Sequence, residues 1–148
     1  SGLNPNVGSH RGAVGIMQLL PSTGKEVGIR GARLTSLEGN VEAACRYMRL
    51  ILDTYFNDPG MDRLNRHLFA LAAYNAGPNR VQALQAKARE RGLDPNVWFG
   101  NVEQLVANEV GQGPINYVST IYKYYVAYRF SLSQLEGKAA AIEAVAQP

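Results

Sequence analysis

The chain contains little of what several protein classes require. It has one cysteine and two histidines, so it cannot form an internal disulfide and offers few ligands for a metal. It has no uninterrupted apolar run of the roughly 18 residues that a membrane-spanning helix needs. Strand signals are poor, and neither an internal repeat nor a low-complexity linker is present. With 148 residues, the sequence predicts one mainly α domain that uses no metal and no cofactor.

The charge of the chain is mildly basic. The formal net charge is +3 and the sequence pI is about 9.1. The densest basic stretch reads "QAKARERG" at residues 85–92. It fits a solvated helix face, and it also fits a surface for an anionic polymer. No motif that reads nucleic acid accompanies it, so nucleic acid is not expected as a partner.

A long helix is predicted in "TSLEGNVEAACRYMRLILDTYF". Thr35 and Glu38 have the spacing of a capping box and predict its start. Apolar residues then recur at steps of three and four, which predicts one buried face. That face consists of Val41, Ala44, Cys45, Met48, Ile51, Leu52 and Tyr55. The single cysteine is therefore interpreted as a core residue.

Further helices are predicted at residues 61–74, 78–91, 102–110 and 114–130. Gly77 suits the end of the first of these, and Pro78 suits the first turn of the next. The last one reads "PINYVSTIYKYYVAYRF". Its predicted buried stripe contains Ile115, Val118, Ile121, Tyr122, Tyr125 and Val126.

Three segments do not read as plain packing. The first is the glycine-rich opening "SGLNPNVGSHRGAVGIMQ", because long loops of defined shape often line sites. The second is "AAYNAGP", where Tyr74 and Asn75 end a helix beside a glycine that permits close approach. Spacing alone equally allows Asn75 to be a helix cap and Tyr74 a core-edge residue. The third is "INYVSTIYKYY", in which periodicity does not show which tyrosine reaches a site.

The same three segments resemble, in order, the motifs of soluble-lytic-transglycosylase-type catalytic domains. The matching stretches are "SGLNPNVGSHRGAVGIMQLLPST", "AYNAG" and "NYVSTIYKYY". The resemblance covers residues 1–130 and leaves 131–148 as a C-terminal tail. It implies a lysozyme-like, goose-type helical domain with a substrate groove. The last motif is most similar to the membrane-bound lytic transglycosylase F group, whose catalytic module follows a periplasmic solute-binding domain.

The resemblance also implies roles for individual residues. The family's catalytic glutamate would stand directly before Ser1, so the chain beginning at Ser1 is predicted to be inactive alone. Where many relatives carry an acidic residue and a threonine before the last tyrosine, this chain reads "GQGPINY". The implied catalytic support comes from Ser1 and Tyr117, and the implied substrate-binding residues are Met17, Gln18, Tyr74 and Asn75.

The implied activity is cleavage of the β-1,4 bond between N-acetylmuramic acid and N-acetylglucosamine in peptidoglycan, which leaves a 1,6-anhydro sugar. One carboxyl group can act first as acid and then as base. Glu26 and Glu42 are interpreted as residues of the surface or of the layer behind the site rather than as that group. Two alternatives remain open: a glycan-binding module without catalysis and a lysozyme-like hydrolase. The resemblance places the parent protein in the periplasm, attached to the outer membrane, with glycan strands as its partner.

Overall fold

The computed structural model describes residues 8–10 and 12–146, with side chains as far as Lys138. Within these residues the regular structure is helical, apart from isolated bridges that join Val14 to Gly8 and to Leu19. The mainly α prediction is confirmed. The helices are α1 (Pro21–Glu26), α2 (Ala32–Thr35), α3 (Leu37–Thr54), α4 (Arg63–Ala76), α5 (Pro78–Glu90), α6 (Glu103–Glu109) and α7 (Gln112–Ala146), with an irregular helical turn at Trp98–Val102 before α6.

The start of α3 differs from the prediction by one residue. Ser36, not Thr35, is its N-cap: the Ser36 backbone is extended and its Oγ accepts a hydrogen bond from Gly39 N at 3.2 Å. Thr35 instead ends α2, and its hydroxyl donates to Ala32 O at 3.0 Å. The two helices meet closely, because a Cβ on Gly39 would lie 1.9 Å from Arg33 O.

The buried face of α3 is rotated from the predicted one. It contains Gly39, Asn40, Ala43, Ala44, Tyr47 and Ile51. Cys45 is exposed and Val41 is 38% exposed, so the prediction that both lie in the core is wrong. The physical reason is that the buried face includes Asn40, whose polar groups find partners inside the protein, and an amphipathic tyrosine. The predicted stripe runs through Val41 and Cys45 and so misses both Asn40 and Tyr47.

Helix α4 lies at the centre of the domain and contacts α3, α5 and α7. Its Phe69 stacks on Phe56 at 5.5 Å between ring centroids and meets the edge of Trp98 at 5.5 Å. The helix ends at Ala76, Gly77 follows with φ of 96°, and Pro78 opens α5. The predicted junction at Gly77 and Pro78 is therefore confirmed, while both ends of α4 lie two residues later than predicted.

Helix α7 is much longer than the predicted segment 114–130. Its first turns pack on α4 and α6, with Val118 fully buried. Tyr125 and Val126 are 51% and 48% exposed, so their assignment to the buried stripe is wrong: this part of the helix no longer has the domain beside it. No break in the helix marks residue 130, and the boundary placed there stays a prediction.

Within the described part of the chain, no helix combines the length and the apolar character that a membrane span requires.

Candidate functional site

The glycine-rich loop is attached to α3 through one buried side chain. Asn40 is 1% exposed. Its Oδ1 accepts a hydrogen bond from Met17 N at 2.9 Å, and its Nδ2 donates to Val14 O at 3.1 Å and Leu34 O at 3.0 Å. The amide is thus well satisfied inside the protein, which is the condition for burying it at low cost. Asn40 fixes the position of the loop relative to the helices.

A tight turn at residues 15–18 shapes the loop. Gly15 has φ of 74°, and a Cβ added there would lie 2.3 Å from the Asn40 side chain. Gln18 also has a positive φ, 52°, and its Nε2 donates to Gly15 O at 2.8 Å. Val14 and Leu19 close the turn by exchanging backbone hydrogen bonds of 2.8 and 3.1 Å. Glycine is required at position 15 both for its backbone angle and for the space that Asn40 fills.

Helix α4 holds the same loop from the other side. Tyr74, in the last turn of α4, donates its hydroxyl hydrogen to Met17 O at 2.9 Å. Met17 therefore has its N–H bound by Asn40 of α3 and its carbonyl bound by Tyr74 of α4. Two helices that are packed on each other in the core position one residue of the loop, and its side chain is left 37% exposed.

Three tyrosines from three helices surround this point. The rings of Tyr47 on α3 and Tyr74 on α4 lie 5.6 Å apart. Burial raises the pKa of Tyr74 strongly, and the phenols of Tyr117 and Tyr47 and the thiol of Cys45 raise it further. Burial also raises the pKa of Tyr117, on α7. The pKa of Tyr47 is raised by burial first and then by the carboxylate of Glu26. All three phenols are neutral hydrogen-bond donors at physiological pH.

The structure describes five of the six predicted site residues. Met17 and Gln18 lie in the loop, and Tyr74 bonds to it. Tyr117 lies near enough to Tyr74 for its phenol to raise the pKa of Tyr74. Asn75 follows Tyr74 and is exposed. Ser1 lies outside the described residues. The catalytic and binding roles of all six stay predictions.

Two cavities of about 400 and 310 Å³ lie away from these residues. The larger is lined by residues of α5 and α6, among them Arg80, Lys87 and Glu109. The smaller is lined by Tyr55, Met61 and Arg89 among others. Neither cavity includes a predicted site residue, so the substrate groove stays a prediction.

Glu42 and Glu26 are the two carboxylates that could replace the predicted acid. Glu42 accepts hydrogen bonds from Arg33 and Arg46, each at 2.6 Å, and so is an ion-paired side chain of α3. Glu26, at the end of α1, is exposed. Neither carboxyl group is buried, so neither has the apolar surroundings proposed for the acid.

Sequence reasoning missed Asn40, Tyr47 and the particular role of Gly15. A signal for the first two exists: Asn40, Ala44, Tyr47 and Ile51 follow one another at steps of four, three and four. Recognising that stripe requires accepting a buried asparagine. The pairing of Asn40 with a loop 23 residues away has no sequence signal.

The chain is similar in sequence to one protein family and to several named proteins. The family described as "Transglycosylase SLT domain" matches residues 1–97. A Desulfosudis oleivorans protein named membrane-bound lytic murein transglycosylase F is 31% identical over 138 residues, 84% of this chain and 30% of that protein. Proteins of the same name from Shewanella sediminis and Pseudomonas putida are 30% and 27% identical, over 82% and 92% of this chain. The chain spans 27–30% of the length of these relatives.

Proposed function

Because the chain belongs to the Transglycosylase SLT domain family, we propose that it is the catalytic module of a peptidoglycan lytic transglycosylase. It has the mainly α, lysozyme-like fold of that family. The observation that supports a site at the glycine-rich loop is the double attachment of Met17, by Asn40 and by Tyr74. Such attachment gives a loop the rigidity that positions catalytic groups.

The proposed reaction breaks the β-1,4 bond between N-acetylmuramic acid and N-acetylglucosamine. A glutamate directly before Ser1 gives its proton to the glycosidic oxygen as the C1–O bond breaks. The substrate's acetamido group stabilises the positive charge at C1. The carboxylate then takes the proton of the sugar's 6-hydroxyl as that oxygen bonds to C1, which forms the 1,6-anhydro ring. Acid and base are the same group, so its loss abolishes nearly all activity.

The described side chains support this reaction in different ways. The Tyr74 hydroxyl donates to Met17 O and keeps its lone pairs for a sugar hydroxyl. Asn75 is exposed beside it and offers an amide to the acetamido group. Tyr117 is half-buried and neutral, which suits a donor that orients the acid. Met17 and Gln18 are the substrate-binding residues of the loop in this proposal. Ser1 supports the glutamate that precedes it.

The surroundings of the module are also proposals. The named relatives are membrane-bound and more than three times longer than the segment they share with this chain. We propose a parent protein of the same kind, located in the periplasm and attached to the outer membrane. An N-terminal solute-binding domain precedes the module in this proposal, and glycan strands of peptidoglycan are its partner.

Digestion of purified sacculi followed by mass spectrometry tests the activity. The chain from Ser1 should release nothing, whereas a chain extended upstream by the glutamate and about a dozen further residues should release 1,6-anhydro products, because a short helix needs that length to form. Tyr117→Phe in the extended chain should lower kcat more than it raises KM.

Three results would contradict the proposal. Products with reducing ends would indicate a hydrolase. Glycan binding without any product from the extended chain would indicate a binding module. Full turnover by the chain that begins at Ser1 would place the acid elsewhere.

A further inference from the structure

The second half of α7 exposes a row of large apolar side chains. Tyr125, Tyr128 and Leu135 are 51%, 64% and 62% exposed. A contiguous exposed apolar row of this kind is unusual on a soluble domain and marks an interaction surface. Helix α7 is 35 residues long, and the part beyond Tyr122 extends for about 36 Å.

The row follows the spacing of a coiled coil. Its members are separated by steps of four, three, four and three residues, and we name them the α7 seam: Ile121, Tyr125, Tyr128, Leu132 and Leu135. The same spacing reaches back to Val118, which is fully buried, and continues in the sequence to Ala139 and Ile142. An apolar repeat of 3.5 residues sustained over this length keeps one face of a helix against a partner helix.

The position of the domain on α7 decides how a partner helix can run. Val118 belongs to the same row and is buried in the domain's own core, so the seam faces the side of α7 on which the domain sits. A second copy running parallel would bring its own domain into that space. A second copy running antiparallel would place the two domains at opposite ends of the paired helices.

We propose that the α7 seam is a homodimer interface in which the seams of two copies pack antiparallel. When Leu132 of one copy lies beside Leu135 of the other, the pairing repeats by symmetry on both sides of a two-fold axis. Arg129 and Glu136 both occupy the position that directly follows Tyr128 and Leu135 in the seam. In an antiparallel pair these flanking positions face each other, so Arg129 of each copy meets Glu136 of the other.

The charges agree with this arrangement and not with a parallel one. Arg129 and Glu136 are exposed, and neither takes part in an ion pair among the residues with described side chains. In a parallel pair Arg129 would face Tyr124, and Glu136 would face Ser131, so the two charges would not meet. The antiparallel pair contains the complementary contact twice.

Sedimentation equilibrium of the 148-residue chain tests the interface. The chain should dimerise with rising concentration, and Leu135→Asp should weaken the dimer by at least about tenfold. Phe130→Asp is the matched control, because Phe130 is 65% exposed but lies on the opposite side of α7 from the seam. It should leave the dimer unchanged. Both side chains lie in solvent, so circular dichroism should show the same fold in both variants.

A charge exchange tests the orientation. Arg129→Glu and Glu136→Arg should each weaken the dimer, and the double variant should restore it, because only the antiparallel pair brings these two positions together. If the single variants weaken the dimer and the double variant does not restore it, the antiparallel arrangement is wrong. A chain that stays monomeric at the highest soluble concentration would overturn the interface. So would an equal loss of dimer affinity in Leu135→Asp and Phe130→Asp. Another domain of a longer protein would then cover the seam.

Discussion

Gly15 and Gly12 lie in the same loop with nearly the same backbone angle, yet only one of them is crowded. Their φ values are 74° and 77°. A Cβ on Gly15 would lie 2.3 Å from the Asn40 side chain, whereas a Cβ on Gly12 would have no atom of the described residues within 4 Å. The two positions therefore separate the cost of a positive φ from the cost of steric overlap.

Gly15→Ala should destabilise the protein by about 2 kcal/mol more than Gly12→Ala. Both variants carry the roughly 1 kcal/mol cost of a positive φ, and Gly15→Ala must also displace a buried asparagine. Urea unfolding of the two variants measures the difference. Equal free energies of unfolding would show that Asn40 moves aside without cost.

Tyr47, Tyr74 and Tyr117 should make the protein lose stability at alkaline pH. Their pKa values in the folded state are raised above the ordinary value of 10.0. The neutral phenols therefore contribute stability that is fully present below pH 10 and is lost as the pH rises above it. Tm should fall above about pH 10.

Tyr74→Phe provides the comparison. It removes the hydrogen bond to Met17 at every pH, so its Tm is lower throughout, but its alkaline decline should be shallower than that of the natural chain. Parallel declines in the two proteins would show that Tyr74 is not among the groups responsible.

At the residue scale, the sequence identified the loop and its partner tyrosine but not the connection between them. Met17, Tyr74 and Tyr117 could be predicted from sequence motifs. A motif identifies residues that are distant along the chain, but it does not show which atoms are in contact. The contact of Asn40 with the loop depends on α2 and α3 meeting at Gly39. That is a consequence of packing, which a local pattern does not contain.

Among the elements, α4 begins with a cap that should make it sensitive to acid. Asp62 accepts hydrogen bonds from Asn65 N at 2.7 Å and from Asn65 Nδ2 at 2.8 Å. These bonds lower the pKa of Asp62 below its usual value of 3.8. The stability they contribute is present above that value and is lost as the pH falls through the lowered pKa.

Asp62→Asn should therefore cost more at pH 7 than at pH 2. An asparagine oxygen can still cap the helix, but it lacks the charge that strengthens the bonds at neutral pH. Comparing the Tm of the two proteins at both pH values measures the effect. A Tm difference that does not change with pH would show that the charge of Asp62 contributes nothing.

Helix positions were predicted better than helix faces. The ends of α4, α5 and α6 lie within two residues of the prediction, because glycine, proline and caps act locally. The faces of α3 and α7 were less well predicted. On α3 a buried asparagine replaces an apolar residue, and on α7 the apolar stripe continues after the domain ends, so that apolar character no longer means burial.

For the whole molecule, the core is organised around the single tryptophan. Trp98 is fully buried, its ring meets Phe69, and its backbone N–H donates to Asn65 Oδ1 at 2.8 Å. The next residue, Phe99, is 39% exposed and contacts only the Tyr122 ring among the aromatic residues of the described chain. Substitutions at Trp98 and Phe99 therefore compare a core position with a surface position.

Trp98→Ala should destabilise the protein by about 3–5 kcal/mol, whereas Phe99→Ala should cost about 1 kcal/mol. Loss of that size at Trp98 is a large fraction of the 5–15 kcal/mol that stabilises a typical domain. Thermal unfolding followed by circular dichroism measures both variants. A similar cost at the two positions would mean that the core does not depend on the tryptophan ring.

The family and its helical fold could be predicted from three short motifs, because their order along the chain already restricts the arrangement of the helices. The groove could not be obtained in the same way. It stays a prediction, because the walls of such a groove would depend on how separate loops face one another, and a periodic sequence pattern does not contain that information.

The attachment of Met17 between Asn40 and Tyr74 also has a consequence in time. Its amide hydrogen can exchange with solvent deuterium only when the Asn40 side chain releases it. Asn40 lies in the first turns of α3, so an opening of the helix start also frees this loop amide. We expect the Met17 amide to exchange as slowly as the amides in the first turns of α3. A loop without regular structure would then have the exchange rate of a helix.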